Sequence, residues 1–199
     1  TDYADPSKLI ATGHSRGGKT ALCATIYDSR FALAAVNGSG CGGAGCFRFL
    51  GGRSGLSQDP TVSESLGRIT TAFPHWFSDK INPFGTQTPP YNVKNESYLP
   101  FDLHIAKALV APRPLVTMEG LDDQWANTYG TQITWRGAEE VYRFLGAEGK
   151  NVIHYREGGH QFGPIDWTVL LDFSDAMLRG DSKPFTYPVN NLPFPGAPL

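Results

Sequence analysis

The pentapeptide Gly13-His14-Ser15-Arg16-Gly17 stands between a short apolar run, Lys8 to Thr12, and Lys19 to Tyr27, which reads as a helix packed on Ala, Leu, Cys and Ile. G-x-S-x-G in that setting constrains the chain more than any other feature. It requires a strand beneath, a helix behind and a turn sharp enough to lift the serine oxygen clear of the sheet edge. Small residues two before and two after the serine are expected to prevent clashes in such a turn. A glycine-rich turn before a helix is the plainer reading, and the flanking strand and helix weigh against it.

The rest of the pattern supplies a sheet for that turn. Phe31 to Val36 is a continuous apolar run of strand length entering the glycine-rich Asn37 to Gly45. Leu115 to Met118 is a second such run, opening into Gly120 to Asn127, and Asn151 to Tyr155 is the last strand. Helices are expected over Phe101 to Leu109, Trp135 to Leu145 and Asp166 to Leu178. In the middle one, Val141, Phe144 and Leu145 form the apolar face and Arg136, Glu139, Glu140 and Arg143 are available to the other. Between Phe47 and about Leu99 the periodicity is lost among Gly, Pro, Asn and aromatics, which reads as an irregular insertion with short helices. Four strands separated by helical or long crossing segments predict a parallel sheet, since parallel neighbours need crossovers. One unit over 1–199 is expected.

A serine hydroxyl is a weak nucleophile until an imidazole accepts its proton. Of five histidines, His160 lies in a Gly-Gly-His loop after the last strand, where the order serine, acid, histidine puts a base. His14, His75, His104 and His154 read as structural or substrate-facing. An acid is needed to hold the imidazole's tautomer, and Gly120-Leu121-Asp122-Asp123 offers one at the end of the preceding strand. Asp123 is the first choice and Asp122 the alternative, each with a plainer reading as a helix cap. Glu119 is a weaker candidate. The amide of Arg16, at the start of the helix, is a natural oxyanion donor.

Composition narrows the classes. With 40% hydrophobic and 12% aromatic residues in 199, the chain can bury one sizeable core. The 17 basic and 19 acidic residues form no block of like charge, so neither a nucleic-acid nor a membrane surface is expected. No apolar run is long enough to span a bilayer. Cys23, Cys41 and Cys46 have no metal-type spacing and imply no disulfide framework.

Beyond the generic turn, Gly13-His14-Ser15-Arg16-Gly17-Gly18-Lys19 resembles the G-x-S-R-x-G-K elbow of the glucuronoyl esterases, carbohydrate esterase family 15. The likeness continues through Ser39-Gly40-Cys41-Gly42-Gly43, Phe73-Pro74-His75-Trp76-Phe77, Leu99-Pro100-Phe101-Asp102 with His104, and Ala108-Leu109-Val110-Ala111-Pro112-Arg113-Pro114. The resemblance implies an α/β-hydrolase three-layer sandwich and serine chemistry with no metal or other cofactor. The implied substrate is the ester between (4-O-methyl)glucuronic acid of glucuronoxylan and a lignin alcohol. It further implies that Arg16 helps the oxyanion, that Lys19 bonds sugar hydroxyls and that Trp76 lines the uronate pocket. Their plainer readings are a surface cap, a solvated first-turn residue and filler for a long loop.

Two departures stand out. Many members resembling this chain carry a catalytic glutamate just before S-G-x-G-G, where this chain has Gly38, so the acid is expected from the Asp122-Asp123 loop. Fungal members bridge the residue before the serine to the residue after the histidine; here these are His14 and Gln161, as in the bacterial branch. The serine stands at position 15, so the strands that precede it in this fold are expected to be missing, together with part of the oxyanion hole. By resemblance the protein would be secreted or periplasmic. Rival readings are an acetyl xylan esterase or other serine hydrolase of this fold, and a non-catalytic carbohydrate-binding relative.

Overall fold

The computed structural model describes residues 4–56, 62–85 and 95–196. Its centre is a four-stranded parallel sheet of β1 (Leu9–His14), β2 (Phe31–Asn37), β5 (Leu115–Gly120) and β6 (Asn151–Arg156), in that spatial order. The crossovers carry α1 (Arg16–Tyr27) between β1 and β2, α3 (Leu103–Ala108) before β5, and α4 (Thr128–Phe144) between β5 and β6; α5 (Pro164–Arg179) follows β6. The expected strands and parallel sheet are all present.

Alternation along the strands builds three layers. In β2, Ala34 and Val36 face one side, where Ala21 and Leu22 of α1 and Tyr142 of α4 complete a buried cluster. Leu33 and Ala35 face the other, with Val116, Met118 and Val152 against Val169, Leu170 and Phe173 of α5. Each large apolar side chain fully buried in this way stabilises the fold by roughly 1.5–3 kcal/mol. β2 is covered on both faces, which is why it reads as an unbroken apolar run. β1 lies at one edge of the sheet, and Leu9 there is partly exposed.

The irregular stretch has more order than its sequence suggests. It contains a short antiparallel ribbon, β3 (Gly51–Gly52) with β4 (Gly55–Leu56), the helix α2 (Leu66–Ala72), and several 3-10 turns. Cys41, Phe47, Leu66, Ile69, Leu99 and Leu103 give it a buried cluster of its own. Positions 86–92 of the proline-rich segment lie outside the described residues.

One expectation is corrected. α4 begins at Thr128, where Asn127 caps it by accepting from the Gly130 amide at 3.0 Å, seven residues ahead of the expected start. Its buried side runs through Thr131, Trp135, Ala138 and Tyr142, and the Tyr142 hydroxyl donates to the Arg113 carbonyl at 2.9 Å. Val141, Phe144 and Leu145, expected to face the core, are instead exposed, Phe144 at 87%. Reading the helix from Trp135 lost its first two turns and set the apolar stripe in the wrong phase.

All four strands point their carboxyl ends the same way. The loops leaving them therefore gather at one rim, where ligands sit in open parallel sheets.

Candidate active site

The sharp turn after β1 forces Ser15 to φ 56° and ψ −123°, one of three positive-φ non-glycine residues among those described. Such a conformation costs of order 1–3 kcal/mol and persists because its surroundings hold it. Here the Ser15 amide donates to the Asn37 carbonyl at 2.9 Å, fixing the turn to the end of β2. Gly13 cannot be replaced cheaply, because a Cβ there would lie 2.3 Å from the Gly17 carbonyl. The second demand for smallness is one residue later than expected. A Cβ on Gly17 would meet nothing within 4 Å, whereas one on Gly18 would lie 2.8 Å from the Ser39 Cβ.

Ser15 lines a cleft of about 550 Å³, and His160, from the loop after β6, lines the same cleft. His160 Nδ1 lies 2.5 Å from Oδ2 of Asp123, which is 4% exposed. A carboxylate can only accept, so Nδ1 carries the hydrogen and Nε2 keeps its lone pair. The other oxygen of Asp123 accepts from the Ala126 amide at 3.2 Å, holding the carboxylate in place. The hydrogen bond that His160 donates to Asp123 raises the His160 pKa above its ordinary value, against the smaller opposing effect of burial.

The neighbouring acids are placed otherwise. Asp122 is half exposed and pairs with Arg53 Nε at 2.9 Å. Glu119 is fully buried inside β5, where burial pushes its carboxyl well above the carboxylate range. Gly38, where the sequence resemblance implies a glutamate in many relatives, sits against the His160–Asp123 pair with φ +50°. A Cβ there would be 3.3 Å from both Asp123 Oδ2 and His160 Nδ1.

Lys19 reaches the cleft floor from the first turn of α1. Its ammonium donates to the Ser39 carbonyl at 2.7 Å, the Cys41 carbonyl at 2.6 Å and Glu64 Oε2 at 2.8 Å. All three of its hydrogens are thus engaged with protein acceptors. Arg16 is exposed at the cleft mouth. Trp76 lines the cleft, its ring stacked on Phe73 at 4.1 Å between centroids. His14 packs its ring 4.3 Å from that of His160. His75 lies edge-on to Trp76, His104 sits in α3, and His154 bonds the Pro188 carbonyl from β6 at 2.7 Å.

Two lining residues escaped the sequence reading. Trp125 is half exposed in the cleft, with the Arg68 guanidinium 4.9 Å from its ring centroid. Its place two residues after Asp123 was an available signal. Glu64 had none, because it lies in the aperiodic stretch and its partner Lys19 is 45 residues away. Among the described residues no group of His, Cys, Asp and Glu is arranged to hold a metal ion, and the three cysteines are free thiols.

A family model described as glucuronyl esterase of fungi matches residues 1–146. The chain belongs to the glucuronoyl esterases, carbohydrate esterase family 15. Among members of this family, it is similar to a glucuronoyl esterase structure from Caldicellulosiruptor kristjansonii, at 34% identity and a TM-score of 0.79, covering 92% of this chain and 47% of that one. A curated carbohydrate esterase from an unknown prokaryotic organism is 37% identical over 194 residues, 90% of this chain and 40% of the relative. A 4-O-methyl-glucuronoyl methylesterase from Podospora anserina is 34% identical over 143 residues, 72% of this chain and 27% of the relative. The chain therefore spans less than half the length of these relatives.

Proposed function

We propose that the protein hydrolyses esters of glucuronic acid through an acyl-enzyme formed on Ser15. The observation that carries this reading is the His160–Asp123 pair opening onto the cleft that also holds Ser15 on its strained turn. Nε2 of His160 takes the Ser15 proton as Oγ attacks the ester carbonyl, and Asp123 stabilises the imidazolium that forms. The negative oxygen of the tetrahedral intermediate meets the Arg16 amide at the positive end of α1, with the guanidinium of Arg16 adding charge. The intermediate collapses, the alcohol departs with the proton from His160, and a water deprotonated by the same nitrogen releases the acid.

The rest of the cleft suits a uronate. Trp76 and Trp125 offer flat apolar surfaces for a pyranose face, and Glu64 supplies an acceptor for sugar hydroxyls. The relatives named as 4-O-methyl-glucuronoyl methylesterases support the uronate as acyl group, with a glucuronoxylan or lignin-carbohydrate ester as natural substrate. A cell exterior or periplasm is where such polymers are met.

The product of the complete reading frame should hydrolyse benzyl glucuronate and leave acetylated xylan essentially untouched. Release of acetate without release of benzyl alcohol would replace this reading with that of an acetyl xylan esterase.

The pH profile follows from the His160–Asp123 bond. Only neutral imidazole accepts the serine proton, and the bond favours the imidazolium, so His160 protonates at a higher pH than a free histidine. The acid limb of kcat/KM should therefore have its midpoint above the ordinary histidine value of about 6.5. A midpoint below that value would show that another group controls the limb.

A further inference from the structure

We infer that Arg156, Asp166 and Asn37 form a buried polar tie that positions His160 against the turn bearing Ser15. The inference rests on the esterase reading above. Starting beside the serine, His14 Nδ1 lies 2.6 Å from Asn37 Oδ1, and Asn37 Nδ2 donates to Asp166 Oδ1 at 3.0 Å. Asp166 Oδ2 accepts from Arg156 Nε at 2.8 Å and from the Gly163 amide at 2.8 Å. The remaining arms of Arg156 turn back into the histidine loop, donating to the carbonyls of Glu157 at 3.1 Å, Gly159 at 3.3 Å and Gln161 at 2.6 Å. Gly159 and Gln161 are the residues on either side of His160. The side chains of Arg156 and Asp166 are 6% and 0% exposed, and Asn37 is 1% exposed.

Donor and acceptor roles along this chain are fixed. An ionised Asp166 can only accept, so Asn37 must present its amide nitrogen to it and its oxygen to His14. His14 Nδ1 must then be the donor. The result joins the ends of β1, β2 and β6 and the start of α5 with no rotational choice left. The planar guanidinium is needed because its separate nitrogens reach Asp166 and three loop carbonyls at once, four acceptors for which an ammonium has only three hydrogens on one atom. The loop around His160 contains Gly158, Gly159 and Gly163 and has little stiffness of its own. An imidazole displaced by about 1 Å from its serine can lose two orders of magnitude in rate. Arg156, Asp166 and Asn37 are thus positioning residues, acting through His160 without touching the ester.

The test is Arg156→Lys in the product of the complete reading frame, with kcat, KM and Tm measured on benzyl glucuronate. Lysine keeps a positive charge opposite Asp166 but cannot span it and all three loop carbonyls from one nitrogen. The expected result is a fall in kcat of about 10- to 100-fold with KM within about twofold and a nearly unchanged Tm. A kcat within twofold of wild type overturns the inference, as does a lowered Tm whose loss of kcat disappears on cooling. Should the lysine variant fail to fold, Asn37→Ala decides, since it cuts the tie at the serine end and leaves the ion pair intact. Its kcat should drop several-fold at constant KM, and an unchanged kcat refutes the tie. A wild-type protein that neither turns over benzyl glucuronate nor is labelled at Ser15 by a phosphonate sinks the esterase reading and this inference together. An active wild type with unaffected variants sinks only the inference.

Discussion

Ser15→Ala should abolish measurable hydrolysis of benzyl glucuronate, a loss of roughly 10⁴- to 10⁶-fold in kcat, while the protein stays folded. The loss is large because no other side chain at the turn can form the acyl-enzyme. Stability should hardly move, since the Ser15 hydroxyl makes no capping hydrogen bond to α1 and the backbone strain is the same for alanine. His160→Ala should cost nearly as much, because a serine without its base and a base without its serine are equally idle. The double variant should be little worse than either alone. Stopped assays with a thermal melt for each variant check both halves of the claim. An Ser15→Ala protein that keeps more than about 1% of wild-type kcat would place the nucleophile elsewhere.

The second large effect separates two adjacent carboxylates. Asp123→Asn should lower kcat by about 10³- to 10⁴-fold. The amide keeps the shape of the side chain but not the obligatory acceptor, so His160 can settle into the tautomer with Nδ1 bare and Nε2 protonated, which accepts nothing from serine. Asp122→Ala should stay within about twofold of wild type, since among the described residues its side chain pairs only with Arg53 in an exposed ion pair and such pairs contribute little. Parallel kcat measurements on the two variants decide it. The reverse ranking would move the acid to Asp122 and leave the serine chemistry standing.

Much of this was legible in the chain because its signals are local. The strands declare themselves as apolar runs, and the turn of Ser15 and the loop of His160 carry their glycines within a few residues. Spacing alone left Asp122 and Asp123 open. They differ by burial and partner, which depend on where the Gly120 turn aims each side chain. Glu64, Arg156 and Asp166 were not singled out because nothing in their own neighbourhoods marks them; their meaning lies in partners from other elements. The misphased face of α4 has a different origin. Its first turns are rich in Thr, Tyr and Gln, residues that a hydropathy pattern passes over, yet Thr131 and Gln132 are wholly buried.

Under the proposed reading, the lysine in the cleft would change how a sugar is recognised. An ammonium whose hydrogens already rest on two carbonyls and a carboxylate, on a side chain only 13% exposed, has little solvent cage left to strip away when a ring arrives. A hydroxyl entering there can gain a hydrogen only by sharing one already in use. Selection among uronates would then fall to the shape of the aromatic walls and to the lone pairs of the carboxylate, with the cation serving as their fixed anchor.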